Sequence, residues 1–418
     1  MLRSSGFVAA SGVCDQQVLP ADLAQRRIVI VARIIATAAL LAFLPMGAHA
    51  APRAAAAVAD HDEALAAATR LARWQLKRLD DADHVSHAAT ETDDPRGWER
   101  ATFWIGMTAL ADAGGPADIG QAVLAMGRAN GWTPGARPYH ADDVAITQAY
   151  LWAARHGAGP EAIEPTKAHF DALLAHPPRV SLAFYQPPAG HGPPECQTRW
   201  CWCDALFMAP PAMLELSRRT GDERYAAYAL KEFWATTDFL YDPAEHLFYR
   251  DSRFFDRRDD KGRKEFWSRG NGWVFAGLAR MIPLLPEKSA DRERMAVLFA
   301  EMAARLKDLQ KPDGYWAPSL LAAEGSPPET SGTAFYTYGM AWGIRAGLLD
   351  RATYEPVALS GWNALLRAVQ PDGRLGWVQQ VSDRPDRVAA EDTQYYGVGG
   401  FLLAATAIAA LEQPTVAD

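Results

Sequence analysis

The chain predicts an all-α fold: an (α/α)6 barrel, six helical hairpins closed into a toroid, in a single domain. Three observations predict it. First, a polar or aromatic opening followed by a helix rich in Ala, Gly and bulky apolar residues recurs six times, at intervals of about 40 to 65 residues, a helix-pair period. Second, amphipathic helices with charged faces lie between these stretches. Third, no long alternating strand pattern occurs. Helices apolar all round are buried and helices with one charged face lie outside, so the alternation implies an inner and an outer ring.

In order, residues 1–50 read as a signal peptide. Arg26-Arg27 precedes an apolar run over 28–44 and then Pro45-Met46-Gly47-Ala48-His49-Ala50: a positive region, an apolar region and an Ala-x-Ala cleavage site. Cleavage after Ala50 and export to the periplasm or beyond are expected, with no stable membrane insertion afterwards. The rival is a membrane anchor, because the run is near the lower limit for a span. Residues 51–58 form a mature tail, 59–411 the barrel and 412–418 a C-terminal tail. Ala64, Leu65, Ala68, Leu71, Ala72, Leu76 and Leu79 keep helical spacing. Inner helices are expected to open near Trp98, His140, Trp200, Ser268, Gly332 and Asp392, and outer helices over 222–240, 290–309 and 352–369. Two outer helices end alike, in Pro312-Asp313-Gly314 before Trp316 and Pro371-Asp372-Gly373 before Trp377; Pro-Asp-Gly is a turn signal. The inner openings would ring one cavity, the default place for a site.

With 49% hydrophobic and 22% charged residues over 418 positions, the composition is that of a folded soluble protein. A net charge of −8 excludes nucleic acid as the main partner. It leaves room for an anionic small substrate, since a local Arg can recognise a carboxylate. The 14 Trp are mostly core filling, with some available to stack on sugars. Cys196, Cys201 and Cys203 remain after export, and Cys196 can pair with either of the others. With His191 they match no usual zinc spacing, so no metal is expected.

Trp202-Cys203-Asp204 sets one carboxyl among apolar and aromatic side chains. Such a setting raises a carboxyl pKa, which suits a group that gives up and retakes a proton near neutral pH. The competing role for Asp204 is N-cap of a helix over 205–216. Of Asp142 and Asp143, one can cap and the other face the cavity. Asp143, one position deeper, is assigned to the cavity, where like-charge repulsion with Asp204 would raise one of the two pKa values. Arg269, in Ser268-Arg269-Gly270-Asn271-Gly272-Trp273, can bind a carboxylate bidentately. The flanking glycines let the backbone approach a ligand, and Trp273 can stack on a ring. His246, in a turn within 241–250, is a weaker candidate, as a lone loop His is more often structural. Trp202 and Asp142 complete the substrate-contacting candidates. No phosphate loop, nucleophile elbow or His-Glu-x-x-His motif is present.

The run Trp202-Cys203-Asp204-Ala205-Leu206-Phe207-Met208-Ala209-Pro210-Pro211, with Ser268-Arg269-Gly270-Asn271-Gly272-Trp273, resembles the signatures of the unsaturated rhamnogalacturonyl hydrolases, glycoside hydrolase family 105. The related unsaturated glucuronyl hydrolases of family 88 share the fold. The likeness runs from about Trp98 to Leu411 and takes in His140-Ala141-Asp142-Asp143, Asp242-Pro243 through His246, and 333–349. It implies an (α/α)6 barrel, no metal or organic cofactor, and as partner an oligosaccharide with a C4=C5 double bond in its non-reducing-end uronic acid. It also implies vinyl-ether hydration: Asp204 protonates C4, water activated by the same carboxylate adds at C5, and the hemiketal opens and releases the aglycone. Asp143 would tune Asp204 and help hold the water, Arg269 and His246 would contact substrate, and Trp273 would stack. A basic residue that some members carry upstream of the catalytic Asp has no match, as Pro193-Pro194 stand there. Two other readings remain: an inverting glycosidase with separated acid and base carboxylates, and a non-catalytic uronide-binding cup.

Overall fold

Apolar and amphipathic helices alternate as their periodicity requires. The computed structural model describes residues 60–81, 84–85, 94–188 and 193–412; the expected signal peptide, the tail expected over 51–58, all but Glu412 of the expected C-terminal tail, and His191 lie outside these. In chain order, outer α1 (His61–Leu76) precedes inner α2 (Trp98–Asp112), and outer α3 (Ala117–Ala129) precedes inner α4 and α5 (Ala141–Val144, Thr147–Ala153). Outer α6 (Glu164–Ala175) leads to inner α7 and α8 (Ala205–Met208, Pro210–Thr220), and outer α9 (Glu223–Leu240) to inner α10 (Ser268–Met281). Outer α11 (Ala290–Leu309) leads to inner α12 (Thr330–Arg345), and outer α13 (Arg351–Ala368) to inner α14 (Tyr395–Ala409). Helix α14 packs on α2 and closes the ring, giving the (α/α)6 barrel.

The ring closes because two backbones touch. A Cβ on Gly399 would lie 2.2 Å from the Thr102 carbonyl oxygen, and one on Gly106 would lie 2.6 Å from that of Gly399. No larger residue fits there without moving α2 from α14. The window from Tyr395 to Glu412 is apolar enough for a membrane span, but 83% of it is buried inside the protein, as for a core helix.

The two Pro-Asp-Gly turns share one geometry. Gly314 N–H donates to Lys311 O and Gly373 N–H to Gln370 O, both at 2.9 Å, and both glycines have φ +88°. The helix expected over 205–216 is broken: α7 stops at Met208 and α8 restarts on Pro210-Pro211, because proline cannot donate the bond that would continue the first helix. The short extended piece after 241 is a two-stranded antiparallel hairpin, β1 (Tyr241–Asp242) with β2 (Leu247–Phe248), turned at His246 with φ +53°.

Substituting Gly399→Ala is expected to cost about 1–3 kcal/mol, the range for overpacking a filled core, and thermal or denaturant unfolding measures it.

Candidate active site

Asp204 begins α7 with helical backbone angles and makes no side-chain cap bond, so the capping role is excluded. Its carboxyl is buried between Cys203 and Arg250. The Cys203 thiol donates to Oδ2 at 3.4 Å, and Arg250 Nε faces the same oxygen at 3.7 Å. Among the described residues, Oδ1 has no side-chain partner. Burial raises the Asp204 pKa, while Arg250 and then Arg269 pull it down. Burial and the neighbouring Asp204 charge push the Cys203 thiol well up, so it stays a neutral donor.

The second carboxyl of this centre is Asp142. Burial raises its pKa well above the ordinary value; Arg137 opposes this, and the charges of Asp204, Glu99 and Asp143 add to it. Two buried carboxyls that feel each other titrate as a pair. Asp143, expected in the cavity beside Asp204, does line the cavity at this end of the barrel, but the carboxyl that feels the Asp204 charge is Asp142. The Asp143 carboxylate is held by Arg137, accepting from the backbone N–H at 2.6 Å and from Nε at 2.8 Å, so it staples the 135–137 loop. His140 caps α4, and burial and Arg137 lower its pKa to about 3. It is therefore neutral at working pH.

The α10 motif also serves differently from its sequence reading. Arg269 is fully buried and donates to two main-chain carbonyls, Gln379 O at 2.9 Å and Gln380 O at 2.8 Å. Its guanidinium lies 4.4 Å from the Trp267 ring centre and 4.7 Å from that of Tyr396. That occupies the fork expected to bind substrate. Gly270 and Gly272 admit Cys203 and Phe335 side chains rather than a ligand. Asn271 is buried too; it accepts from Phe248 N–H at 2.7 Å and donates to Phe248 O at 3.0 Å. Trp273 is fully covered, packed on Phe335 and Phe207 with ring centres 4.3 and 4.9 Å away, so it has no open face for stacking. Trp202 is buried against His140. His246 bonds Tyr241 Oη at 2.9 Å and lies 3.6 Å from Glu301 of outer helix α11; its partners belong to the outer layer.

The sequence reading missed Arg250 and Glu99. Arg250 stands two residues beyond β2, and only the pairing of that strand brings it to Asp204. Glu99 lies in the first turn of α2 and was visible in the Trp98-Glu99-Arg100 opening. A cavity of about 270 Å³ opens at this end of the barrel, lined by Trp98, Glu99, Arg96, Arg137 and Asp143. Another, of about 230 Å³, lies among C-terminal ends of inner helices, with Arg280, Tyr338 and Trp342; neither lining includes Asp142 or Asp204. Cys196 is disulfide-bonded to Cys201, and Cys203 is free and buried. Two of the three cysteines are thus unavailable to a metal.

A helical toroid with a buried carboxyl pair and a flanking cation at the inner-helix starts has the parts of a general acid–base enzyme. Comparison with known proteins gives the family: residues 67–411 match Glycosyl Hydrolase Family 88, and the chain belongs to it. It is 42% identical over 343 residues to an Alteromonas protein named unsaturated 3S-rhamnoglycuronyl hydrolase, covering 80% of this chain and 83% of the relative. A Formosa agariphila protein of the same name is 34% identical over 363 residues, covering 85% and 92%. A solved family 88 structure from Bacteroides vulgatus aligns with TM-score 0.71 at 26% identity, over 84% of this chain and 99% of that one.

Asp204→Asn is expected to fold and to lose roughly 10²–10⁴-fold in kcat, the weight of one general acid. An acid must be protonated to act, and burial holds the Asp204 proton above the ordinary aspartate range. The alkaline fall of kcat/KM is therefore expected above the unperturbed aspartate pKa of about 3.9, as a pH–rate profile would record.

Proposed function

We propose that this chain releases the Δ4,5-unsaturated uronic acid from the non-reducing end of lyase-generated oligosaccharides by hydrating the vinyl ether, and that rhamnose is the sugar next to the cleaved linkage. The observation that carries the reaction is the state of Asp204: its pKa is raised by burial, Oδ2 is engaged and, among the described residues, Oδ1 meets no side chain. Oδ1 passes its proton to C4 as water attacks C5, and the carboxylate so formed takes a proton from that water. The hemiketal opens and the aglycone leaves. Asp142 replaces Asp143 as the partner carboxyl in this scheme. Rhamnose is supported by the names of the Alteromonas and Formosa relatives.

Export is part of the same proposal. The apolar run over 28–44 with the Ala48-His49-Ala50 cleavage site supports it, as does the Cys196–Cys201 disulfide, since such bonds persist in oxidising compartments.

The deciding assay is a panel of unsaturated uronyl disaccharides, linked to rhamnose with and without a 3-O-sulfate, beside a saturated counterpart. Loss of the ultraviolet absorbance of the double bond, fastest on a rhamnose-linked substrate, is expected. Turnover of the saturated compound alone would replace this reading with an inverting glycosidase. N-terminal sequencing of the exported protein is expected to begin at Ala51; an uncleaved chain in the membrane fraction would replace the signal peptide with an anchor, and an uncleaved chain in the cytoplasm would refute export.

A further inference from the structure

The reading above needs a cation for the substrate's own carboxylate. That group is carried on C5, one bond from the reacting C4=C5 bond. Its partner must lie within a few ångströms of the acid that protonates C4. Arg269, the sequence candidate, is fully buried with both terminal nitrogens given to main-chain carbonyls.

Arg250 meets the requirement. Its Nε faces Asp204 Oδ2 at 3.7 Å, its Nη1 donates to Asp251 at 2.8 Å, and its side chain keeps 13% of its surface exposed. Among the described residues, Nη2 has no partner. The position is rigid. Arg250 O accepts from Cys203 N–H at 2.9 Å, beside Asp204 itself. Asp251 is fully buried and is also gripped by Arg253, whose Nη2 donates at 2.7 Å. Asn271 fixes β2 two residues upstream.

We propose that Arg250 binds the carboxylate of the unsaturated uronyl ring, and that its pairing with Asp204 is exchanged for that carboxylate when substrate docks. This rests on the hydration reading and goes beyond it. The exchange has a chemical consequence. In the empty enzyme Arg250 favours the ionised form of Asp204. A docked carboxylate neutralises Arg250, so Asp204 holds its proton when the acid is needed. The other charges facing Asp204 are Asp142 on α4, with Glu99 of α2 and Arg137 around it, and Arg269 on α10. Asp251 and Asp383 face Arg250 from behind. None of these is displaced by docking.

The test compares an unsaturated uronyl-rhamnose disaccharide with its C6 methyl ester, using wild type, Arg250→Gln and Arg250→Lys, each checked for folding by thermal unfolding. The wild type is expected to favour the acid over the ester by roughly 100-fold in kcat/KM, the weight of hydrogen bonds to a charged group. In Arg250→Gln the acid-to-ester ratio collapses towards one, and Arg250→Lys, charged but without the fork, keeps part of it. In wild type the alkaline limb of kcat, which reports the bound enzyme, lies at higher pH than that of kcat/KM, which reports the free enzyme; in Arg250→Gln the two limbs meet. An unchanged ratio in Arg250→Gln, or in Arg250→Lys should the Gln variant not fold, overturns the assignment while the hydration reading stands. If wild type does not consume the acid form, both fall.

Discussion

The first turn of α10 holds the site together by binding backbone that is not its own. Asn271 satisfies both the N–H and the carbonyl of Phe248, and Arg269 satisfies two carbonyls at Gln379 and Gln380. Tyr336 donates to Ser268 O at 2.6 Å in the same turn, and Trp267 donates to Gln379 Oε1 at 2.9 Å. Buried main-chain polar groups left unpaired cost about 1–3 kcal/mol each, so these bonds fix where the two outer segments can run. One of them, β2, delivers Arg250 to Asp204. The other lies against Arg269 and Tyr396. Gly270 and Gly272 belong to this device, since a Cβ at either would crowd Cys203 or Phe335.

The barrel was legible because it is written in long-period hydrophobicity. The inner starts near Trp98, Ser268 and Asp392 and the outer helix over 290–309 all lie where the pattern put them. Asp204 was legible because its apolar neighbours in sequence are also its neighbours in space. The choice between Asp142 and Asp143 was not, because adjacent residues on one helical turn differ by about 100° in direction and only the Arg137 loop decides which carboxylate is claimed. Arg269 misled for a related reason. A fork that suits a carboxylate suits two carbonyls equally, and the segment over 379–380 that supplies them is over a hundred residues away in sequence. His246 and Arg250 flank one short strand, β2, yet the first faces the outer helix and the second the carboxyl centre.

The start of α7 explains why Asp204 can be an acid at all. A carboxylate that caps a helix accepts backbone N–H bonds, which favour the ionised form and depress its pKa. The first N–H groups of α7 need no such cap, because Ala205, Leu206 and Phe207 donate to the main-chain carbonyls of Trp202, Cys203 and Asp204. Asp204 is left on a one-turn helix with its side chain turned to Cys203 and Arg250 instead. Burial then dominates and raises the pKa, opposed first by Arg250 and Arg269 and less by the hydrogen bonds from the Cys203 thiol and from the backbone. Arg269 cannot leave, since its nitrogens hold the main chain. Among the described residues Arg250 Nη2 meets no partner, so Arg250 is the opposing charge that a ligand can take away.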